Sequence, residues 1–241
     1  MATYVLVHGG GHGGWCYQPV ARLLRREGHE VYAPTLTGLA DRAHLLSNAI
    51  DLETHITDVA NLIEYEDLTD VILAGHSYGG MVITGVADRV SERIGQLVYL
   101  DAAIQFDGEA LVDVSPGTLA MRAINRTVDG VELTLWPDAG IIAMYGLEDP
   151  AIAAWAVPKL TPHPWKTVMR PLRLRNPEAV AAKPRTIINC TSTMERRRET
   201  VEGDHFNRWL TADRVWEIDT GHDLMLSESE KTAEMLLRLA D

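Results

Sequence analysis

Ser77 is where the chemistry of this chain gathers. It stands in Gly75-His76-Ser77-Tyr78-Gly79-Gly80, directly after the β-branched run at 71–74 (VILA) and at the head of a helical pattern over 79–93. A serine in a tight strand-to-helix turn presents its hydroxyl at the tip of that turn, and flanking glycines let strand and helix approach closely. The helix below offers unpaired N–H groups and the positive end of its dipole. This is the context of a nucleophile elbow. A second glycine-rich stretch, His8-Gly9-Gly10-Gly11-His12-Gly13-Gly14-Trp15, follows the run at 3–7 (TYVLV). Acyl transfer passes through an anionic tetrahedral intermediate, so donors must already be aimed at that oxygen. The amides of Gly10 and Tyr78 are the expected pair, with His8 and His12 bracing the loop. A phosphate loop is the competing reading, disfavoured because no Gly-Lys-Ser/Thr follows and the GxGxxG register is wrong.

A serine hydroxyl needs a base near neutral pH, and imidazole suits that task. His222, in Asp219-Thr220-Gly221-His222-Asp223 after the last strand-like run, has the position for it. An acid must orient that histidine and stabilise its imidazolium. The loop after 185–189 (RTIIN) reads Cys190-Thr191-Ser192-Thr193-Met194-Glu195, with no aspartate, so Glu195 is the preferred acid. Asp101, closing Val98-Tyr99-Leu100-Asp101, is the alternative. His163, in a proline-rich run, is expected at the surface. Cys16 lacks a base of its own and reads as packing. No His/Asp/Glu cluster has metal-ligand spacing, so neither metal nor organic cofactor is expected.

These groups need a scaffold. Strand-like runs at 3–7, 30–33, 71–74, 96–100, 185–189 and 215–218 alternate with helical patterns at 19–27, 52–63, 79–93 and about 228–239. Ser227 and Glu230 have capping-box spacing before the last helix. Such alternation predicts a mainly parallel sheet of about six strands with helices on both faces, and ligands at the edge where the strands end. The rhythm breaks over 103–183, a segment rich in proline, tryptophan and methionine and too long for a plain loop. It reads as a helical cap inserted into a single-domain core made of 1–102 and 184–241. Trp136 and Trp155 of this segment, with Gly11 of the glycine-rich loop, are the expected substrate contacts.

Composition narrows the partners. With 22 Lys+Arg against 34 Asp+Glu, the net charge of −12 opposes a phosphate backbone, so nucleic acid is not an expected partner. No run approaches the ~20 apolar residues of a membrane span, so no membrane partner is expected. Two cysteines and the lack of a signal-like opening point to a cytoplasmic setting. Oligomeric state leaves no mark in the sequence.

Taken together, VLVHGGGHGGWC at 5–16, LTGLADRAHL at 36–45 and VILAGHSYGGMVI at 71–83 resemble the small cofactor-free α/β-hydrolases grouped with plant methylesterases and hydroxynitrile lyases. VYLDA at 98–102 and IDTGHD at 218–223 extend the likeness more loosely. The resemblance implies an α/β-hydrolase fold, a Ser77–His222–acid triad and an acyl-enzyme formed from a small-molecule ester or carbamate. Hydroxynitrile lyases carry lysine where this chain has Asp223, which favours hydrolysis over the lyase alternative. A low-turnover ligand receptor on the same fold is the other alternative. Length and pattern are also similar to bacterial esterases that cleave methyl carbamates such as carbendazim, which would make that compound an expected substrate.

Overall fold

Alternating side chains build the central sheet. In the computed structural model, which describes residues 1–201 and 203–240, the strands are β1 (Thr3–Val7), β2 (Glu30–Tyr32), β3 (Val71–His76), β4 (Ile94–Leu100), β5 (Arg126–Val128), β6 (Val131–Thr134), β7 (His163–Pro164), β8 (Arg185–Cys190) and β9 (Arg214–Ile218). Six of them form one parallel sheet in the order β2-β1-β3-β4-β8-β9. Val5, Val7, Leu73, Leu97 and Tyr99 point to one face, and Tyr4, Leu6, Ile72, Val98 and Leu100 to the other. That is the period of two expected of a strand buried on both sides.

Helices cover each face. On the first lie α2 (Leu52–Tyr65) and α3 (Gly79–Arg89), through Leu52, Ile56, Val59, Met81 and Ile83. On the second lie α1 (Gln18–Arg26) and α5 (Ser229–Leu237), through Val20, Leu24 and Leu236. Between them in sequence, α4 (Thr191–Thr200) follows β8. The start of α2 is set by a capping box: Asp51 accepts from the amides of Glu53 and Thr54, and the Thr54 hydroxyl accepts from the Asp51 amide. The expected box at Ser227 and Glu230 is absent. Ser227 instead ends a short helix, Leu224–Ser227, and its hydroxyl donates to the Asp223 carbonyl at 3.2 Å. The helix expected over 79–93 stops at Arg89, and Ser91–Arg93 form a separate tight turn.

Between β4 and β8 the chain leaves the main sheet. Short helices at Leu111–Val114, Pro116–Ala120, Ala139–Tyr145, Pro150–Ala156 and Trp165–Met169 lie in this excursion. It is not purely helical as expected, because β5, β6 and β7 pair into an antiparallel sheet. The hairpin turn is Asp129-Gly130, both at positive φ (50° and 79°), the pair a two-residue turn demands. Among the described residues the excursion makes no separate core. Ile141, Tyr145 and Leu160 join the cluster under one sheet face, and Trp165, Val168 and Leu172 join the other.

Candidate active site

The register of the sheet brings the candidate residues to one edge. His76 at the end of β3 lies opposite Leu100 at the end of β4, so Ser77 and Asp101 leave adjacent strands side by side. Both take a left-handed turn there, with φ of 51° and 44°. Ser77 is held in it by its own backbone: its N–H donates to Leu100 O at 3.3 Å, and its carbonyl accepts from Ala103 N at 2.9 Å. The turn is possible because α3 passes so near β1 that a Cβ on Gly79 would sit 2.6 Å from Val7 O. His222 arrives from the loop after β9. Its Nε2 lies 2.9 Å from Ser77 Oγ and its Nδ1 lies 2.5 Å from Asp101 Oδ2.

The carboxylate on His222 is therefore Asp101, and the preference for Glu195 is corrected. Glu195 lies on α4, whose inward face carries Thr193, Met194 and Arg197. The helical turn between those positions points Glu195 outward, exposed, toward a polar cleft shared with Glu148 and Asp149. What α4 delivers to the site is a cation. Arg197 Nη1 donates to Asp101 Oδ1 at 2.9 Å, and Nη2 donates to the Asp101 carbonyl at 3.1 Å. The guanidinium lies over the Trp209 ring at 4.5 Å, and the Trp209 indole N–H donates to Ala102 O at 2.8 Å. Burial alone would raise the Asp101 carboxyl, but Arg197 and the bond to His222 hold it well below the usual carboxylate range. The reading from sequence missed Arg197. Its signal was the helical spacing of Thr193 and Arg197, which puts Glu195 on another face.

The glycine-rich loop is braced from behind by buried histidines, as expected. Leu36 N–H donates to His8 Nε2 at 3.0 Å, so the proton of His8 sits on Nδ1 and is donated to Gly9 O at 2.8 Å. The Gly9–Gly10 peptide is planar, so fixing that carbonyl also fixes the direction of the Gly10 N–H. Burial pushes the His8 pKa down to about 3 and keeps it neutral. His12 is different, for both its ring nitrogens face acceptors: Gly10 O at 2.8 Å and Asp223 Oδ2 at 2.9 Å. That geometry requires an imidazolium. Burial opposes the charge, yet Asp223 outweighs it and raises the His12 pKa. Tyr145 adds a second donor to Gly10 O at 2.9 Å. His76, with its pKa lowered to about 3 by burial and the neighbouring His222, donates from Nε2 to the His222 carbonyl at 3.0 Å. Asp223 thus turns its carboxylate to His12, away from the cavity.

Ser77, His222, Gly10 and Tyr78 line one cavity of about 340 Å³. Leu111, Val114, Met121, Leu135, Met144 and Val168 make its walls largely apolar. The expected contacts Gly11, Trp136 and Trp155 are not in that wall. Gly11 is spent on the excursion, its N–H donating to His163 Nδ1 at 3.3 Å and its carbonyl accepting from Thr161 N at 2.9 Å. Trp136 lies under the Arg126 guanidinium at 4.7 Å and donates to Leu133 O. Trp155 packs edge-on against Trp15 at 5.4 Å with Lys159 over its ring. The indole in the wall is Trp209, from outside the excursion. His163, expected at the surface, is fully buried in the wall because β7 carries it against the loop. Cys16 is buried in the core and its thiol pKa is raised by burial, in keeping with a packing role.

Positions 4–235 match the model of the alpha/beta hydrolase family. A carbendazim hydrolyzing esterase of Nocardioides sp. is 53 % identical over 130 residues, 54 % of this chain and 54 % of that protein. Putative methylesterase 11, chloroplastic, of Arabidopsis thaliana is 30 % identical over 112 residues, 46 % of this chain and 29 % of that protein. The chain thus spans about half the length of the first of these curated relatives and less of the second. Among solved structures, an extracellular alpha/beta-hydrolase from a Paenibacillus species superposes with a TM-score of 0.81 at 23 % identity, covering 99 % of this chain and 98 % of that one. At that identity the likeness speaks for the fold.

Proposed function

The chain belongs to the alpha/beta hydrolase family, and on that premise we propose that it is a serine esterase cleaving a small ester or methyl carbamate. The observation that carries the reading is the relay from Ser77 Oγ to His222 Nε2 at 2.9 Å and from His222 Nδ1 to Asp101 at 2.5 Å, at the edge of an apolar cavity. His222 takes the Ser77 proton as Oγ attacks the carbonyl carbon. The imidazolium so formed donates to Asp101, while the amides of Gly10 and Tyr78 receive the oxyanion. The intermediate collapses as His222 gives its proton to the leaving alkoxide, and the alcohol departs. Water then attacks the acyl- or carbamoyl-serine with His222 as base, and Ser77 recovers its proton. A carbamic acid released in this way loses carbon dioxide to give the amine.

Carbendazim is the substrate to try first, on the likeness to the Nocardioides protein, whose name states that activity. Its products would be methanol, carbon dioxide and 2-aminobenzimidazole. The test is hydrolysis of carbendazim and of p-nitrophenyl acetate by wild type and Ser77→Ala. Both substrates are expected to turn over, with kcat lower by at least about 10³ in the variant. Full turnover by a folded Ser77→Ala protein would refute serine catalysis. Cleavage of the nitrophenyl ester alone would refute the carbamate assignment.

A further inference from the structure

Most polar side chains around the cavity already have partners. The His163 ring accepts from Gly11 N at Nδ1 and donates from Nε2 to Thr167 Oγ1 at 2.8 Å, whose own hydrogen goes to Pro164 O. Tyr145 is committed to Gly10 O and Tyr78 to His55. Thr118 donates to Ser115, Thr193 accepts from Arg196, Thr200 donates to Arg196 O, and Arg197 is held on Asp101. Thr134 is the exception. It lines the cavity at 1 % exposure, and its Oγ1 has no hydrogen-bond partner among the described residues. A buried hydroxyl without a partner costs free energy, so one retained where the other polar side chains of the wall are paired points to a group that enters with the substrate.

Position says which part of the substrate that is. Thr134 ends β6 directly opposite His163 of β7, and the His163 ring lies 4.8 Å from that of Tyr78, the residue after the nucleophile. The next residue, Leu135, packs against Gly10, its Cδ1 only 2.5 Å from where a Cβ there would be. Thr134 is therefore on the side of the cavity that carries the loop that would hold the oxyanion. We propose that Thr134 is a specificity residue whose hydroxyl accepts a hydrogen bond from an N–H flanking the scissile carbonyl, so that the site prefers an N–H carbamate to the matching ester. This rests on hydrolysis at Ser77 as read above. An ester offers only CH₂ at that point and leaves the hydroxyl unpaired, which is the discrimination a built hydrogen-bond acceptor achieves.

A matched pair tests it: methyl N-phenylcarbamate and methyl phenylacetate, which differ by N–H against CH₂. The reading is the ratio of their kcat/KM values in wild type, Thr134→Val and Thr134→Ser, so that intrinsic reactivity cancels between enzymes. Valine keeps the branched shape that a strand favours, and thermal melting checks its fold. The carbamate-to-ester ratio is expected to fall about tenfold in Thr134→Val, equivalent to roughly 1.4 kcal/mol, and to be largely restored in Thr134→Ser. Should valine unfold the protein, Thr134→Ala serves the same comparison. An unchanged ratio in a folded variant, with both compounds cleaved, overturns the role of Thr134 while leaving serine hydrolysis standing. Wild type that cleaves the ester but not the carbamate, or that cleaves p-nitrophenyl acetate but neither of the pair, overturns the role of Thr134 alone; wild type that cleaves none of the three overturns the hydrolase reading with it.

Discussion

Asp101→Asn exchanges one oxygen for an amide nitrogen, and the surroundings dictate where each goes. Asp101 Oδ1 receives two donors, Arg197 Nη1 at 2.9 Å and Cys190 N at 3.4 Å. The amide oxygen of an asparagine must occupy that place, because an NH₂ group there would face N–H groups. The NH₂ then takes the place of Oδ2, against His222 Nδ1. Its hydrogen makes Nδ1 an acceptor and moves the imidazole proton to Nε2, the nitrogen 2.9 Å from Ser77 Oγ. In that tautomer His222 cannot take the serine proton. The expected loss is about 10⁴ in kcat, roughly 5 kcal/mol of barrier, with KM little changed. The assay is steady-state hydrolysis of p-nitrophenyl acetate, with circular dichroism and Tm to verify the fold. Glu195→Gln, on an exposed side chain, is expected to leave kcat within about twofold. A folded Asp101→Asn enzyme keeping more than about a tenth of wild-type kcat, or a Glu195→Gln enzyme losing as much as Asp101→Asn, would refute the assignment.

Two further outcomes concern the buried histidines. His8 and His76 are held near 3, against an ordinary value of 6.5, so below about pH 6.5 the unfolded chain binds more protons than the folded one. Stability is present in full above that pH and is lost as pH falls toward 3, by about 1.4 kcal/mol per pH unit for each histidine. Urea unfolding across pH 7 to 4 should show this acid limb, shallower in His76→Asn; parallel curves would refute it. His12 has the opposite sign, for its raised pKa gives stability that is present below 6.5 and lost as pH rises through the folded value. Asp223→Asn strips the partner from this buried imidazolium, and a loss of roughly 3–5 kcal/mol in unfolding free energy is expected. Its kcat should fall more than its KM rises, as Gly10 loses a brace; an unaltered melting curve would contradict the ion pair.

The parts of this protein that are local in the chain were legible in its residues. Ser77 and Gly75–Gly80 form a single turn whose geometry depends on close neighbours, and the loop at 8–15 is held by short-range backbone demands. The six main-sheet strands declared themselves by β-branched runs, and the hairpin at 126–134 carried an Asp-Gly signal that went unread. His222 was readable from its place after the last strand. The carboxylate that meets it was not, because Asp101 and Glu195 both follow strands that end at the same sheet edge. What decided it was the rotation of α4, which turns Glu195 to solvent and sends Arg197 inward to a carboxylate 96 positions earlier in the chain. The cavity wall was hidden for the same reason. Trp136 and Trp155 have the chemistry of substrate contacts, yet each is taken up by a neighbour, and the indole beside the site comes from Trp209. A residue's type tells what it can bind. Which of its possible partners it meets depends on packing between segments far apart in sequence, and only the assembled tertiary structure decides that.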